Sequence, residues 1–259
     1  MTRLELERFE RLSTNRAARV RAWAGERAAD ELAGRTVWCA AASPHGRTAA
    51  RTLGELLRPS PGDVAADPLD VSGGEPLRTL ARRLDAMLSG GGPPPAAALG
   101  AEEAELCAEA AGVAEALMGR AVARGDVVVV HDVLTALLAG AARERGAHTV
   151  WHVHATSPDA PGAVRGTRVA YAFLRRYTSA VDAYIMTWPE PAGHGRVVER
   201  VAAAMPEVDV VATKEIPTGD DPGAPRTLAW RTALADVVTD DRADHVGGTV
   251  RVRPAVAAR

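Results

Sequence analysis

The sequence predicts an α/β protein built as a single Rossmann-like domain, a parallel sheet flanked by helices. Three observations point there. Apolar strand-like runs alternate with helical stretches from residue 35 to residue 213, and such alternation implies parallel strands joined by right-handed crossovers. The run Val127 to Val130 has no apolar–polar alternation, as in a strand covered on both faces. Chemistry-bearing residues recur where the strand-like runs stop, and open parallel sheets place their sites beyond those carboxyl ends.

Taken in order, Leu4, Phe9, Leu12, Val20, Trp23 and Leu32 fall at helical intervals, with Gly34 as a stop. "RTVWCAAA", 35 to 42, reads as the first buried strand, and "SPHGRTAARTLGELLR" turns from it into a helix. Proline and glycine punctuate 59 to 76, which reads as loop with room for a short strand. Helices over 76 to 89 and 101 to 123 flank the low-complexity loop "SGGGPPPAAALG". The valine strand follows, then helix 133 to 145, strand 148 to 153, helix 165 to 179, strand 182 to 187, helix 195 to 205 and strand 208 to 213. No internal repeat is visible.

Composition excludes several classes. With 259 residues, 47% of them hydrophobic, the chain is able to bury a substantial core. Its formal charge of −2 offers no basic footprint for nucleic acid. Cys39 and Cys107 are too few for a disulfide framework and are expected as buried thiols. The opening segment is rich in charge, lacks a signal-peptide core, and no stretch approaches a membrane span. A soluble cytoplasmic protein with no membrane partner is therefore expected.

Four strand ends carry distinctive chemistry: Ser43-Pro44-His45-Gly46, His131-Asp132, His152 with His154, and Trp188 with Glu190. His152 and His154 share a face if the strand runs through them, so several imidazoles are able to converge on one crevice. Proton transfer near neutral pH suits such a histidine cluster. The plainer alternative for Asp132 is a helix cap, and for each isolated histidine a satisfied polar residue. A metal held by His131, Asp132, His152 and His154 is chemically conceivable, but no paired ligand spacing supports it, and neither metal nor cofactor is expected. No nucleophile elbow, P-loop or dinucleotide fingerprint occurs.

The segments "GRTVWCAAASPHGRTAARTLGELLRP", "DVVVVHDVLTALLAG", "HTVWHVHATSP", "AFLRRYTSAVDAYIMTWPE" and "VDVVATKEIPTGDDP" occur in an order and spacing that resembles the amino-terminal half of retaining GT-B glycosyltransferases, above all the glycosyltransferring trehalose synthases. The resemblance implies one half of a GT-B fold over residues 1–222. It implies that the loop Pro44, His45, Gly46, Arg47 and Thr48 approaches a donor diphosphate. It also implies that His131 and Asp132 face the sugar cleft and that His154 contacts the donor sugar. Such transfer needs hydrogen-bonding groups around the sugar and an electropositive clamp for the leaving diphosphate.

Departures from the pattern matter as much. Arg47 and Thr48 stand where relatives have glycines, His152 replaces an arginine, and Thr156 replaces an acidic residue. The family's nucleotide-sugar domain has no counterpart here, and residues 223–259 are expected to add only a helix and a strand or hairpin tail packed on the same domain. Three readings follow. The chain acts on a sugar or glycosylated small molecule with a second protein chain or a homodimer partner completing the site. Alternatively, it is a repurposed enzyme using its histidines on a small metabolite. The third reading is a non-catalytic accessory or binding protein.

Overall fold

A computed structural model describes residues 22–23, 25–57, 65–70, 74–88, 99–154, 163–178, 180–187, 209–213, 223–239 and 249–252. The predicted helix at 195–205 and residues Trp188 and Glu190 lie outside them.

A first helix, α1, runs through 25–32 and stops at Gly34, whose φ of +70° is a left-handed conformation that glycine adopts without a Cβ penalty. Next come β1 (Thr36–Ala41), α2 (Pro44–Leu57), β2 (Ala65–Asp70), α3 (Glu75–Leu88), α4 (Ala101–Ala121) and β3 (Val127–Val130). A 3-10 turn at Thr135–Leu138 leads into α5 (Ala139–Glu144), then β4 (His148–His154), α6 (Ala163–Thr178), β5 (Ala183–Thr187), β6 (Asp209–Thr213), α7 (Gly223–Thr239) and β7 (Thr249–Val252).

The strands form one sheet in the order β2-β1-β3-β4-β5-β6-β7. The pairings from β2 through β6 are parallel, and β7 runs antiparallel to β6. The chain leaves β1 for β2 on one side, then returns to place β3 on the other. The order therefore reverses at β1 and β3, and the switch point beyond their carboxyl ends is the place where doubly wound sheets bind ligands.

Residue alternation assigns each strand two faces. Val37, Cys39, Val127, Val129, Val150 and Ile185 pack with Leu32 of α1, Leu53 and Leu57 of α2, and Leu234 of α7. Ala40, Val128, Val130, Trp151 and Tyr184 pack on the opposite side with Leu84 of α3, Met118 of α4 and Leu174 of α6. All four valines of β3 are fully buried because both faces are covered. Cys39 and Cys107 are buried within these layers.

Two aspartates bracket β3. Asp126, at its amino end, accepts hydrogen bonds from Thr36 N (3.1 Å), Trp38 Nε1 (2.9 Å) and Ala123 N (2.9 Å). It ties β1 to β3 at the end of the sheet opposite the crevice. Asp132, at the carboxyl end, governs the next element. Thr135 N donates to Asp132 Oδ1 at 3.0 Å and the Thr135 hydroxyl donates to Asp132 O at 3.0 Å. This tight turn explains why the helix predicted at 133 to 145 begins as a 3-10 turn and becomes α-helical only from Ala139.

In α7, every residue from Ala229 to Val237 is buried, which makes it a core helix rather than a one-faced surface helix. It packs on α2 and crosses β4, β6 and β7. Its buried polar groups are used locally: Arg231 Nη2 donates to Leu57 O at 2.9 Å, and Asp236 pairs with Arg27. Since α2 has no basic residue in its own last turn, Arg231 places positive charge at that helix's negative end. Among the described residues no helix is long and apolar enough to cross a membrane.

Candidate functional site

Beyond β1 the chain turns sharply into α2. Ser43 caps that helix, its Oγ accepting from Gly46 N at 2.9 Å, while Arg47 N donates to Ser43 O at 2.9 Å. Pro44 occupies the first helical position, where a missing N–H leaves nothing unsatisfied. A helix start beyond a parallel strand, with amides aimed outward, is ordinarily a seat for phosphate.

Here the seat already holds an anion. Asp132 Oδ2 accepts from Ala42 N at 2.7 Å and from Ser43 N at 2.8 Å, and the residue is 7% exposed. The carboxylate at the end of β3 thus crosses the switch point and clamps the β1–α2 turn. Gly46 makes room for it: a Cβ on Gly46 would lie 2.5 Å from Asp132 Oδ2 and 3.1 Å from Ser43 Oγ. A side chain at this position would therefore have to displace the Asp132 carboxylate.

Asp85 of α3 joins the same neighbourhood, a residue the sequence reading did not select. Its carboxyl is pushed up to about 7, first by burial and then by the negative charge of Asp132. The signal was present in the periodicity. Leu77, Ala81 and Leu84 form the buried stripe of α3, and Asp85 follows Ala81 by four residues, a carboxylate on the stripe that faces the core.

The histidines behave differently. His131 extends the ladder through its backbone, its N–H donating to Ala40 O at 3.0 Å. Its Nδ1 meets Nδ1 of His152 at 3.1 Å, the rings standing edge to face at 79°. His152 in turn meets the Trp230 ring of α7, centroids 4.8 Å apart. At 2% and 5% exposure, His131 and His152 are buried within the domain rather than at an open rim. His154 is the last residue of β4, in register with Thr187; its side chain, like that of His45 in the first turn of α2, lies outside the described residues. Arg47 and Thr48 are exposed on that same first turn. His148, at the amino end of β4, is half-buried, and burial lowers its affinity for a proton. Among the described residues no three His, Cys, Asp or Glu side chains gather to hold a metal ion.

The structure thus brings together Ser43, Gly46, Asp132 and Asp85 at the switch point, with His131 and His152 paired behind them. The arrangement is acidic where a diphosphate site would be cationic. It offers hydrogen-bond acceptors, and one carboxyl able to exchange a proton near neutral pH.

No protein-family model matches the chain, and no curated protein sequence matches it. Among solved structures it is similar to the trehalose-6-phosphate phosphatase N-terminal domain of Candida albicans, at 12% identity and a TM-score of 0.45. The likeness covers 67% of this chain and 44% of that one.

Proposed function

We propose that the chain is a sugar-handling domain of the retaining-glycosyltransferase type, whose switch-point crevice receives a hydroxyl-rich, uncharged ligand. A second polypeptide supplies the clamp for any diphosphate. The observation that carries this reading is the pair of bonds from Ala42 N and Ser43 N to Asp132 Oδ2. An incoming phosphate would have to displace a carboxylate from the very amides it needs. It would also face like charge, worth about 1 kcal/mol at 4 Å in water and about 4 at an effective dielectric of 20. A sugar meets neither obstacle. A carboxylate has about four acceptor sites, and Asp132 commits three to Ala42, Ser43 and Thr135, so a ligand hydroxyl still has an acceptor there and others on Asp85. The partner is another chain, of which a second copy is the simplest case.

One observation favours a second reading, an acid–base enzyme acting on a small metabolite. The Asp85 carboxyl, raised to about 7, is matched to proton transfer at physiological pH. In that reading Asp85 moves the proton, its affinity set first by burial and then by the charge of Asp132.

Native mass spectrometry of the purified protein, followed by calorimetric titration with a neutral disaccharide and with a nucleoside diphosphate sugar, tests the proposal. Saturable binding of the disaccharide, with no binding of the nucleotide sugar by the lone chain, is expected. Retention of an unrelated metabolite would favour the acid–base reading, and tight nucleotide-sugar binding by the lone chain would overturn the assignment of the clamp to a partner.

A further inference from the structure

The outer face of α4 carries features that the chain itself does not use. Gly112 stands near the middle of this 21-residue helix, where glycine is the poorest choice after proline. No close contact calls for it: a Cβ on Gly112 would meet nothing within 4 Å. Beside it Val113 is 56% exposed, one of two large apolar side chains so open among the described residues. Ala116, one turn on from Gly112, is exposed on the same face. Cys107 and Met118 are buried on the other side of the helix, so this face is turned away from the domain's own core.

Charge is sorted along the same stripe. Glu105 and Glu109 are exposed toward the amino end of α4 and Arg120 toward its carboxyl end. None of the three takes part in a salt bridge among the described residues. By contrast, α3 settles its charges within the chain: Arg78 and Arg82 pair with Glu75, and Arg83 pairs with Glu103 of α4. The helix macrodipole favours Glu102 and Glu103 in the first turn and Arg120 in the last. That field fades within a turn, so it does not account for Glu105 and Glu109.

We propose that this face is the contact of a symmetric dimer, in which α4 of a second copy of the chain lies antiparallel across it. With the two-fold axis passing between Gly112 and Val113, Glu105 and Arg120 each lie about 11 Å along the helix from the axis, on opposite sides. Each Glu105 therefore meets the second copy's Arg120, and symmetry makes the pair twice. Glu109 lies one turn from Glu105 and adds to the same attraction. Gly112 lets the two backbones approach to about 8 Å, the near end of helix packing, and the approach takes Val113 out of water. A parallel pair would set Glu105 against Glu105 and Arg120 against Arg120, so the order of charge selects the antiparallel one. A contact of one helix on each side is small, which makes the dimer a reversible one. It stands apart from the ligand assigned to the switch point.

Sedimentation velocity of the full chain across the micromolar range reads this contact. The parent should pass from monomer to dimer as concentration rises. Gly112→Leu, a better helix former that fills the seam, should weaken the dimer at least tenfold without lowering thermal stability. Arg120→Glu and Glu105→Arg should each weaken it at least tenfold. Combining those two changes in one chain restores opposite charges with their places exchanged, and should bring the dimer back to within threefold of the parent. All three positions are exposed, so the variants leave the core intact. A parent chain that stays monomeric throughout would overturn the proposal, as would a dimer unmoved by Gly112→Leu or a combined variant that associates no more tightly than either single one.

Discussion

Gly46 and Asp132 are fitted to each other: the space a Gly46 Cβ would take lies 2.5 Å from the Asp132 Oδ2 that accepts from Ala42 N and Ser43 N. Gly46→Ala should therefore force a shift of the carboxylate or of the α2 backbone. A loss of about 1–3 kcal/mol in chemical denaturation is expected, the usual cost of overpacking. In an Asp132→Ala background the same change should cost markedly less, since its obstacle is gone; equal costs in both backgrounds would show the two residues to be independent.

Asp132→Ala should destabilise by about 2–4 kcal/mol, because it leaves the amides of Ala42, Ser43 and Thr135 without their acceptor. Asp132→Asn keeps the shape but removes the charge that helps hold up Asp85. Carbon-13 titration of the Asp85 carboxyl should then show a lower midpoint than in the parent. The midpoint should remain above that of an exposed aspartate, because burial, the larger cause, persists.

Asp85 makes stability depend on pH with a definite sign. Its carboxyl rises from 3.8 to about 7 on folding, so between those values the native chain holds a proton that the unfolded chain has lost. Stability contributed by the protonated carboxyl is present in acid and falls as pH rises from about 4 to about 7, then levels off. Asp85→Asn should flatten this slope and leave the protein more stable than the parent above pH 7, by at most about 4 kcal/mol. Denaturation midpoints from pH 4 to pH 8 check both the slope and its loss.

Much of this fold is legible in local pattern, and the limits have a physical cause. The valine run, Gly34 and the alternation of strands and helices each act over a few residues, so β1, β3, β4 and β5 fall within a residue or so of where the sequence places them. The site is assembled from contacts that local pattern does not record. Asp132 reaches Ala42 and Ser43 across 90 and 89 residues, and Arg231 reaches Leu57 across 174. The sequence marks Asp132 as a helix cap, which its bond from Thr135 N satisfies, but not as the carboxylate that fills the turn after β1. Asp85 was detectable only as a carboxylate on an apolar stripe. The convergence of His131 and His152 follows from the register of β3 with β4, in which His131 comes next after the Val130–Trp151 pair and so lies beside His152, whereas the cover of His152 by Trp230 depends on the path of α7 back across the sheet.

Asp126 serves as the scaffold control. It is buried and accepts from Thr36 N, Trp38 Nε1 and Ala123 N at the amino end of β3. Asp126→Ala should cost about 2–4 kcal/mol by leaving those donors unsatisfied. Under conditions where the variant remains folded, ligand affinity at the opposite end of the sheet should be unchanged, as calorimetric titration can show.

The central question is whether Asp132 keeps diphosphate away from the β1–β3 switch point while leaving room for a sugar. Amide NMR of the lone chain, following the Ala42 and Ser43 signals during titration with pyrophosphate and separately with a neutral disaccharide, tests this most directly. The disaccharide should shift signals around Asp132, whereas pyrophosphate should leave Ala42 and Ser43 unmoved in the parent and move them in Asp132→Ala. Saturable pyrophosphate binding at those two amides in the parent protein would contradict the account.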